Sequence, residues 1–487
     1  MRTTIHERYA RLAMTFFALA ATVGCAVGPN YKRPNVDVPG TYREARTEQS
    51  APADAQQPSA APPKQATPNP PQSFGDAKWF EVFQDPELQS LIRTALQNNY
   101  DLRIAATRVL EAQAQLGITR ANQLPTLNAG GNVTSQQSPQ LGPIPSYELT
   151  QGAVLASAAW DLDFWGKYRR GTEAARANLL STEWAQKEVK GALVANLATA
   201  YFLLRQYDLE LEISRNTLAS RRDSLRLTQT LEQHGINSLL DVRQSEQLVY
   251  TAATEVPDLE RQVAQQENAI NILLGRNPGN VPRGLKLSEQ PHAPEVPAGI
   301  PSALLERRPD IRAAEANLIS ANAQIGVARA AYFPDIALTA SAGYESPKLT
   351  DLFQGPAGIW NMAANLTQSI FQGGRLKNNV RFTEAQRDQF VLTYQQTIQG
   401  AFRDVSNSLI AYRKNQETRT EEEHLAESAR DAARLSEVRF KAGTTDYLEV
   451  LTNETNAFSA ELALAQAQGN ELIALVQLYQ ALGGGWE

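Results

Sequence analysis

Cysteine and histidine, the side chains most often used for metal binding and nucleophilic catalysis, are rare in this 487-residue sequence. The only cysteine is Cys25, and the four histidines are His6, His234, His292 and His424. They lie far apart, and none has a cysteine or carboxylate partner at the spacing of a metal site. The glycine run at 483–485 lacks the Lys-Ser/Thr pair of a phosphate loop and is better interpreted as a helix stop. The sequence therefore predicts no catalytic residue, metal site or bound cofactor, and no envelope hydrolase.

The N-terminus has the features of an export signal followed by a lipid attachment site. Arginines 2, 8 and 11 precede an apolar stretch of about 12 residues, which is too short to span a bilayer. The sequence Thr-Val-Gly-Cys at 22–25 resembles the lipobox of bacterial lipoproteins, so we expect a signal peptide at 1–24 and a covalent lipid on Cys25. An ordinary signal peptide with a stray thiol is the alternative, because Thr22 stands where lipoboxes usually carry Leu. Ala26 follows the cysteine, and by the same resemblance this favours the outer membrane.

The charge balance excludes nucleic acid as a partner. The formal charge is −6, and removing residues 1–24, with three arginines and one glutamate, makes it −8. No basic field is present to attract phosphates. Beyond the N-terminus no apolar run reaches about 18 residues, so the mature chain is either soluble or crosses a membrane as β-strands.

The sequence contains a tandem duplication, in which matching residues recur at a spacing of about 208 residues. The pairs are Pro125 with Pro334, Gly166 with Gly373, Gly235 with Gly443, and Leu274-Gly275 with Leu482-Gly483. Each copy predicts a short helix, two strands, a very long helix, a glycine break and another helix. The predicted divisions are a tether at 25–84 that contains a Pro/Ala-rich tract at 42–72, a first repeat at 85–275, a connector at 276–301 and a second repeat at 302–487.

Long helices make up most of both copies. Residues 172–233 would span about 93 Å, and residues 380–441 a similar length. An apolar stripe recurs about every 11 residues, which suits nearly straight helices, while charges such as Arg205 and Glu210 lie off it. The stripe alone does not exclude a soluble helical bundle. The residues of the apolar stripe are Val189, Leu193, Leu197, Ala200, Leu204 and Leu211 in one copy and Phe390, Tyr394, Ile398, Ala401, Val405 and Tyr412 in the other.

Alternating strands favour a membrane protein. Apolar residues alternate with polar ones from Ala156 to Phe164, from Ile336 to Glu345, and from Asn361 to Ile370, with Gln368 as an exception. Each copy therefore supplies one hairpin, ending near a Phe-X-Gly sequence. Four strands cannot close a barrel, and open edges in lipid leave backbone groups without partners. We therefore expect several copies to share one barrel, with twelve strands for three copies.

Several segments resemble the NodT-type outer-membrane factor lipoproteins of the TolC and OprM class. They are Cys25 to Pro34 (CAVGPNYKRP), Gly299 to Glu315 (GIPSALLERRPDIRAAE), Ile325-Gly326, Phe333-Pro334, Ile370 to Arg375 (IFQGGR) and Ala481 to Trp486 (ALGGGW). The resemblance covers nearly all of residues 25–486. It implies an α+β membrane protein: a TolC-like homotrimer in which a twelve-stranded outer-membrane β-barrel continues into a long periplasmic helical barrel.

The resemblance also implies a function and partners. Members of this family are passive exit ducts that work with a periplasmic adaptor and an inner-membrane pump of the RND class. We expect efflux of drugs or other small toxic compounds. Export of proteins or of a signalling molecule through the same kind of duct stays open, as does a periplasmic lipoprotein scaffold without a pore. Copper export is disfavoured because the only methionines are Met1, Met14 and Met362.

Family resemblance places the gate and the docking surface where paired helices turn at the periplasmic tips. Asp241 and Glu449, 208 residues apart, match acids that form a charged ring, and Leu448 would add an apolar constriction. The alternative is that both acids only favour the first helical turns. Thr452 and Thr445 depart from relatives that carry an acid and an arginine there, so a weaker inner ring and no arginine latch are expected. The candidates for adaptor docking are Gly235, Arg439, Gly443 and Thr444.

Overall fold

The structure is a computed structural model that describes residues 26–42, 73–140, 142–291, 299 and 301–486. The predicted signal peptide, Cys25 and residues 43–72 of the Pro/Ala-rich tract lie outside these residues. The chain divides into two compact units. The first comprises the residues up to Asn35 with Arg108–Glu183 and Ala313–Gln395, and the second comprises Val36–Thr107, Trp184–Arg312 and Gln396–Glu487.

The first copy contains five helices and two strands. In chain order they are α1 (Trp79–Val82), α2 (Pro86–Asn98), α3 (Tyr100–Ala121), β1 (Thr126–Ser138), β2 (Tyr147–Leu162), α4 (Lys167–Gln233) and α5 (Leu239–Leu273). Short 3-10 turns lie at Phe74–Asp76 and Leu287–Glu289.

The second copy repeats this order. Its elements are α6 (Pro301–Arg307), α7 (Pro309–Ala330), β3 (Asp335–Ser346), β4 (Gly358–Thr367), α8 (Arg375–Lys441) and α9 (Tyr447–Ala481), with 3-10 turns at Leu349–Asp351 and Gly355–Ala357. Both α4 and α8 have 67 residues, and both α5 and α9 have 35. The second member of each pair begins 208 residues after the first (375 minus 167 and 447 minus 239). The predicted tandem duplication is confirmed.

Some predicted boundaries are wrong by a few residues. β2 ends at Leu162 and β4 at Thr367, so Phe164 and Ile370 lie beyond the strands. A local turn ends β2 early: the amide of Phe164 donates to the carbonyl of Leu162, and the carboxylate of Asp163 accepts a hydrogen bond from the amide of Arg169. The long helices begin about five residues before the predicted starts at 172 and 380.

The four strands form one antiparallel sheet in the order β1-β2-β3-β4. The predicted hairpins β1-β2 and β3-β4 are present. In addition, β2 pairs with β3 from Gly152 opposite Ser346 to Leu162 opposite Ile336, which joins the hairpins of the two copies. The sequence alone did not predict this pairing.

The hydrophobic core of the second unit packs α2 against the long helices and the connector. It includes Leu88, Ile92, Leu197, Tyr201, Leu204, Ile270, Leu274 and Tyr479, each at most 2% exposed. Asp85, which is fully buried, accepts hydrogen bonds from the Tyr201 hydroxyl (2.8 Å) and the Leu285 amide (3.0 Å). Because a buried carboxylate needs such donors, this aspartate fixes the connector on the core.

Most of the predicted apolar stripe is buried, which explains the repeat along α4 and α8. Two charges expected off the stripe are buried as well. Arg205 donates to the Leu285 carbonyl and to Asp208, and Glu210 accepts from the Gln206 amide. None of the described helices is both long and apolar enough to cross a lipid bilayer.

Candidate functional site

The register of the sheet places most apolar residues of the four strands on one face, while Leu149, Leu155 and Ile359 lie on the other. Ala158 of β2 lies opposite Leu127 of β1 and Ala340 of β3, and Ala340 lies opposite Met362 of β4. Paired residues point to the same side of a sheet, so the alternation predicted for β2, β3 and β4 continues as one surface across the sheet. The apolar face includes Leu127, Val133, Val154, Ala156, Ala158, Trp160, Leu162, Ile336, Leu338, Ala340, Ala342, Tyr344, Trp360, Met362, Ala364 and Leu366.

The opposite face is mostly polar and carries three acids, Asp161, Asp335 and Glu345. Its members are mostly small residues with hydroxyl or amide side chains: Thr126, Asn128, Asn132, Thr134, Ser157, Ala159, Asp161, Ala337, Thr339, Ser341, Asn361, Asn365 and Thr367. Such a surface can be hydrated without binding any one solute tightly.

Large side chains on the apolar face are exposed in the single chain. Leu127 is 79% exposed, Trp360 78% and Met362 76%. A contiguous apolar surface of this kind is typical of a membrane-facing or subunit-facing region, because water would otherwise cover it at a high free-energy cost.

An aromatic pair lies near each end of β3. Trp165 and Phe333 stack with their ring centroids 4.7 Å apart where β2 leads towards α4, and Tyr344 and Phe353 contact at 5.7 Å near the other end. Tryptophan and tyrosine concentrate at the two surfaces of a bilayer, where a ring meets both lipid and water. The sequence analysis missed these pairs, although aromatic residues flanking an alternating strand were a visible signal.

The predicted tip turns have one geometry. Gly235 has φ of +74° and Gly443 has φ of +71°. In the first turn the amides of Gly235 and Ile236 donate to the carbonyls of Glu232 and Leu231. In the second, the amides of Gly443 and Thr444 donate to the carbonyls of Phe440 and Arg439. Both are Schellman motifs, which require the left-handed conformation that glycine adopts most easily.

Asp241 lies in the first turn of α5 and caps that helix. Its carboxylate oxygen Oδ2 accepts from the amide and the hydroxyl of Ser238 at 2.8 and 2.9 Å, and its own amide donates to the Ser238 hydroxyl. This is a capping box. None of these bonds uses the second carboxylate oxygen, Oδ1. Asp241 can therefore cap its helix and still present a negative charge, as predicted for the gate.

Glu449 occupies the equivalent turn of α9 but has different partners. Its oxygen Oε1 accepts from the guanidinium of Arg439 at 2.8 Å, and Oε2 accepts from the hydroxyl of Thr445. The ion pair is exposed, at 55% for Arg439 and 40% for Glu449. A predicted docking residue and a predicted gate residue are therefore joined, and Thr445 binds the same predicted gate residue.

Exposed leucines accompany the two acids. Leu448 is 60% exposed, and Leu240, which precedes Asp241 as Leu448 precedes Glu449, is 64% exposed. The sequence analysis selected Leu448 and overlooked Leu240, although the 208-residue offset pointed to it.

The start of α9 is bonded to the first copy. The Tyr447 hydroxyl and the Ser245 hydroxyl are 2.7 Å apart, and the Tyr447 ring packs 5.0 Å from that of Phe440. Deeper in the helices, Arg221 is 3% exposed and donates to the Leu248 carbonyl at 2.9 Å. Of these contacts, the hydrogen bond between Ser245 and Tyr447 joins the two helical hairpins inside one chain.

The docking candidates are all on the surface. Gly235, Arg439, Gly443 and Thr444 are exposed, and no side-chain atom lies near a Cβ built on either glycine. The Thr444 hydroxyl donates to the Arg439 carbonyl at 3.0 Å. Open space beside both glycines leaves room for a partner helix to approach the backbone.

Among the described residues, no group of three or more His, Cys, Asp or Glu side chains is placed to hold a metal ion. His234 has its Nδ1 2.7 Å from the Thr230 carbonyl in the last turn of α4. Cys25, the predicted lipid site, lies outside the described part of the chain, which begins one residue later.

The exposed amphipathic sheet, the duplicated long helices and the paired tip turns define an outer-membrane channel subunit. The profile of the family described as "Outer membrane efflux protein" matches residues 91–276 and again 300–484. The chain belongs to this family and is an outer-membrane component of an efflux system.

Named relatives agree with this assignment. The "Toluene efflux pump outer membrane protein TtgC" and the "Antibiotic efflux pump outer membrane protein ArpC", both from Pseudomonas putida, are 36% identical over 479 residues, which is 98% of this chain and 95% of each relative. The "Cation efflux system protein CusC" of Escherichia coli is 32% identical over 476 residues, 97% of this chain and 98% of the relative.

Solved structures share the fold. The open state of the Neisseria gonorrhoeae MtrE outer membrane channel superimposes with a TM-score of 0.82 at 31% identity, covering 95% of this chain and 99% of that one. CusC superimposes with a TM-score of 0.83 at 30% identity, covering 95% and 100%. The predicted TolC-like fold is confirmed, and the helical bundle without strands is wrong.

Proposed function

We propose that three copies of this chain close one pore through the outer membrane and conduct small toxic compounds to the exterior. The observation that carries the proposal is the four-stranded sheet with one exposed apolar face and two edge strands. Among the described residues, β1 and β4 each pair with a single strand, so each has one edge without a partner strand. In lipid, each open edge would leave backbone amides and carbonyls without hydrogen-bond partners. Each such group costs a free energy on the order of several kcal/mol.

Pairing between copies removes this cost. β4 of one copy pairs with β1 of the next, and three copies, the number that the resemblance implies, give twelve strands. The apolar face then meets lipid and the polar face lines a water-filled lumen. Most side chains of that face are small and uncharged, which suits a passage that does not select strongly.

The duct is passive and has no catalytic residue or cofactor other than the lipid on Cys25. Energy comes from an inner-membrane pump of the RND class, and a periplasmic adaptor joins the pump to the tips. The adaptor docks beside Gly235, Arg439, Gly443 and Thr444, where both turns are exposed and their glycines leave the backbone open.

The gate is a ring at the tips built from Asp241, Leu448 and Glu449, and the exposed Leu240 is proposed as a further member. Threefold repetition brings like charges together, and this repulsion is balanced in the closed state by Arg439 and by the contacts that hold the hairpins. The exposed leucines add an apolar constriction, which can close the pore to ions by losing its water.

Relatives named for toluene and antibiotic efflux favour apolar or amphipathic toxic compounds as cargo. Export of a protein or signalling molecule is the second candidate. A periplasmic scaffold is disfavoured, because a scaffold in water would have no use for the exposed apolar face.

Planar bilayers test the proposal. Purified wild-type protein should give stepwise conductance, and the double variant Asp241→Ala/Glu449→Ala should open more often or conduct more. The variant Asp335→Ala, at the start of β3, is the matched control. Silence of wild type and both variants, together with a monomeric mass in detergent, would exclude the duct.

A further inference from the structure

The loop that joins β3 to β4, residues 347–357, folds onto the apolar face of the sheet. Gly152 of β2 pairs with Val133 of β1, so the side chain that Gly152 lacks would point to that face. A Cβ built on this glycine would lie 2.9 Å from the Cδ2 atom of Leu349 and 3.9 Å from the Cγ2 atom of Val133. Leu349 therefore fills the space that the glycine leaves open.

Phe353 makes a second contact between the loop and the face. Its ring packs edge-on against that of Tyr344, which belongs to the apolar face, with the ring centroids 5.7 Å apart. Both loop side chains nevertheless stay largely open in the single chain, at 64% exposure for Leu349 and 71% for Phe353. The loop thus carries the exposed apolar surface past the ends of the strands, where a loop in water would present polar groups.

The loop backbone satisfies much of its own hydrogen bonding. The amide of Lys348 donates to the Ser346 hydroxyl at 3.2 Å. Four further amides donate to carbonyls of the loop at 2.9 to 3.4 Å, and they are those of Asp351, Leu352, Gln354 and Ala357. Because backbone groups without partners are costly in lipid and not in water, internal bonding of this kind suits a loop that enters a bilayer surface.

Polar residues stand beside the apolar ones along the loop. Lys348 and Thr350 flank Leu349, and Gln354 follows Phe353. All three polar residues are exposed. A segment of this composition suits the surface of a bilayer, where apolar side chains reach the acyl chains and polar side chains stay among the headgroups.

We propose that the loop is a membrane-contact segment, which inserts Leu349 and Phe353 among the acyl chains of the surrounding lipid. Lipid is the partner because the loop continues the apolar face that lipid covers in the proposed pore. The bilayer therefore reaches past the ends of β3 and β4, and the loop helps to set the depth of the sheet. This inference rests on the proposed function, in which that face meets lipid.

Spin-label accessibility tests the insertion. A nitroxide is attached to Phe353→Cys in the full chain in phosphatidylcholine vesicles, and its collisions with oxygen, which enters lipid, and with a water-soluble nickel chelate are measured. The nickel accessibility at position 353 should be at least about fivefold lower than at Gln354→Cys, its exposed polar neighbour, while the oxygen accessibility stays high. Equal nickel accessibility at the two positions would overturn the inference.

Two further measurements keep the test decisive. Leu349→Cys is a second reporter with the same expected result, should Phe353→Cys fail to fold. Wild-type protein taken through the same labelling gives the background signal of Cys25, the only native cysteine.

Met362→Cys, on the apolar face of β4, separates this inference from the proposed function. Lipid contact at position 362 with water contact at position 353 would overturn only the insertion of the loop. Water contact at both would overturn the membrane-facing sheet as well. Low accessibility of position 353 to both reagents would place Phe353 in a protein contact, such as one with a second copy, and would overturn lipid as the partner.

Discussion

Single residues at the tips show what a sequence can and cannot predict. The 208-residue offset located Asp241 and Glu449 in equivalent first turns, because a duplicated chain repeats its helix starts. It did not predict that one acid caps its own helix while the other binds Arg439, since that ion pair forms across a turn and depends on side-chain direction.

Removing Arg439 should unmask the charge of Glu449. We expect Arg439→Gln to increase cation selectivity in planar bilayers, measured as the reversal potential in a potassium chloride gradient. Stability should change by less than about 1 kcal/mol, because exposed ion pairs contribute little. The control is Arg434→Gln, which breaks an exposed pair with Asp431 on the same helix. An unchanged reversal potential would argue against Glu449 at the pore axis.

Glu210 should make stability depend on pH. Burial raises the pKa of its carboxyl above 4.5, against the opposing effect of hydrogen bonds with Gln206 and Gln466. Between 4.5 and the raised value the folded state holds a proton that the unfolded state has lost, so stability falls as pH rises through this window.

The variant Glu210→Gln cannot ionise, so it should melt at a higher temperature than wild type at pH 8 and at nearly the same temperature at pH 4. Thermal unfolding followed by circular dichroism checks this. Glu427→Gln, on an exposed position of α8, should show no such pH-dependent difference. An equal offset at both pH values would contradict the assignment of the effect to Glu210.

At the scale of elements, periodicity predicted the order and type of every long helix and of both hairpins. Boundaries were less accurate, because strand ends are set by local bonds such as the one between the Phe164 amide and the Leu162 carbonyl. The β2-β3 pairing and the packing of the β3-β4 loop on the sheet depend on contacts between distant segments, which periodicity does not report.

The glycine turns at the tips should be sensitive to a single methyl group. Gly443→Ala leaves no steric clash but forces φ near +71°, at a cost of about 1–2 kcal/mol. Hydrogen exchange of peptides that cover the turn should become faster. Gly400→Ala, inside α8 with open space around it, should instead stabilise by about 0.5–1 kcal/mol and leave exchange at the tip unchanged. Unchanged exchange in Gly443→Ala would contradict the Schellman geometry.

At the scale of the whole molecule, the apolar face has a function only if other copies complete the sheet. Alternation predicted this face from the sequence, and the register of four strands makes it continuous. The number of copies could not be derived from the residues, since four strands divide evenly into barrels of several sizes; resemblance supplied the number three.

Cross-linking between the edge strands tests the closed ring most directly. Asn128→Cys in β1 and Asn361→Cys in β4 are three strand spacings, about 14 Å, apart within one chain, beyond the reach of a bis-maleimide spanning about 8 Å. We predict that the double variant in membranes yields a covalent three-chain product on a denaturing gel, whereas each single variant does not. Only single chains, with both thiols shown to react with a monofunctional maleimide, would contradict the shared pore.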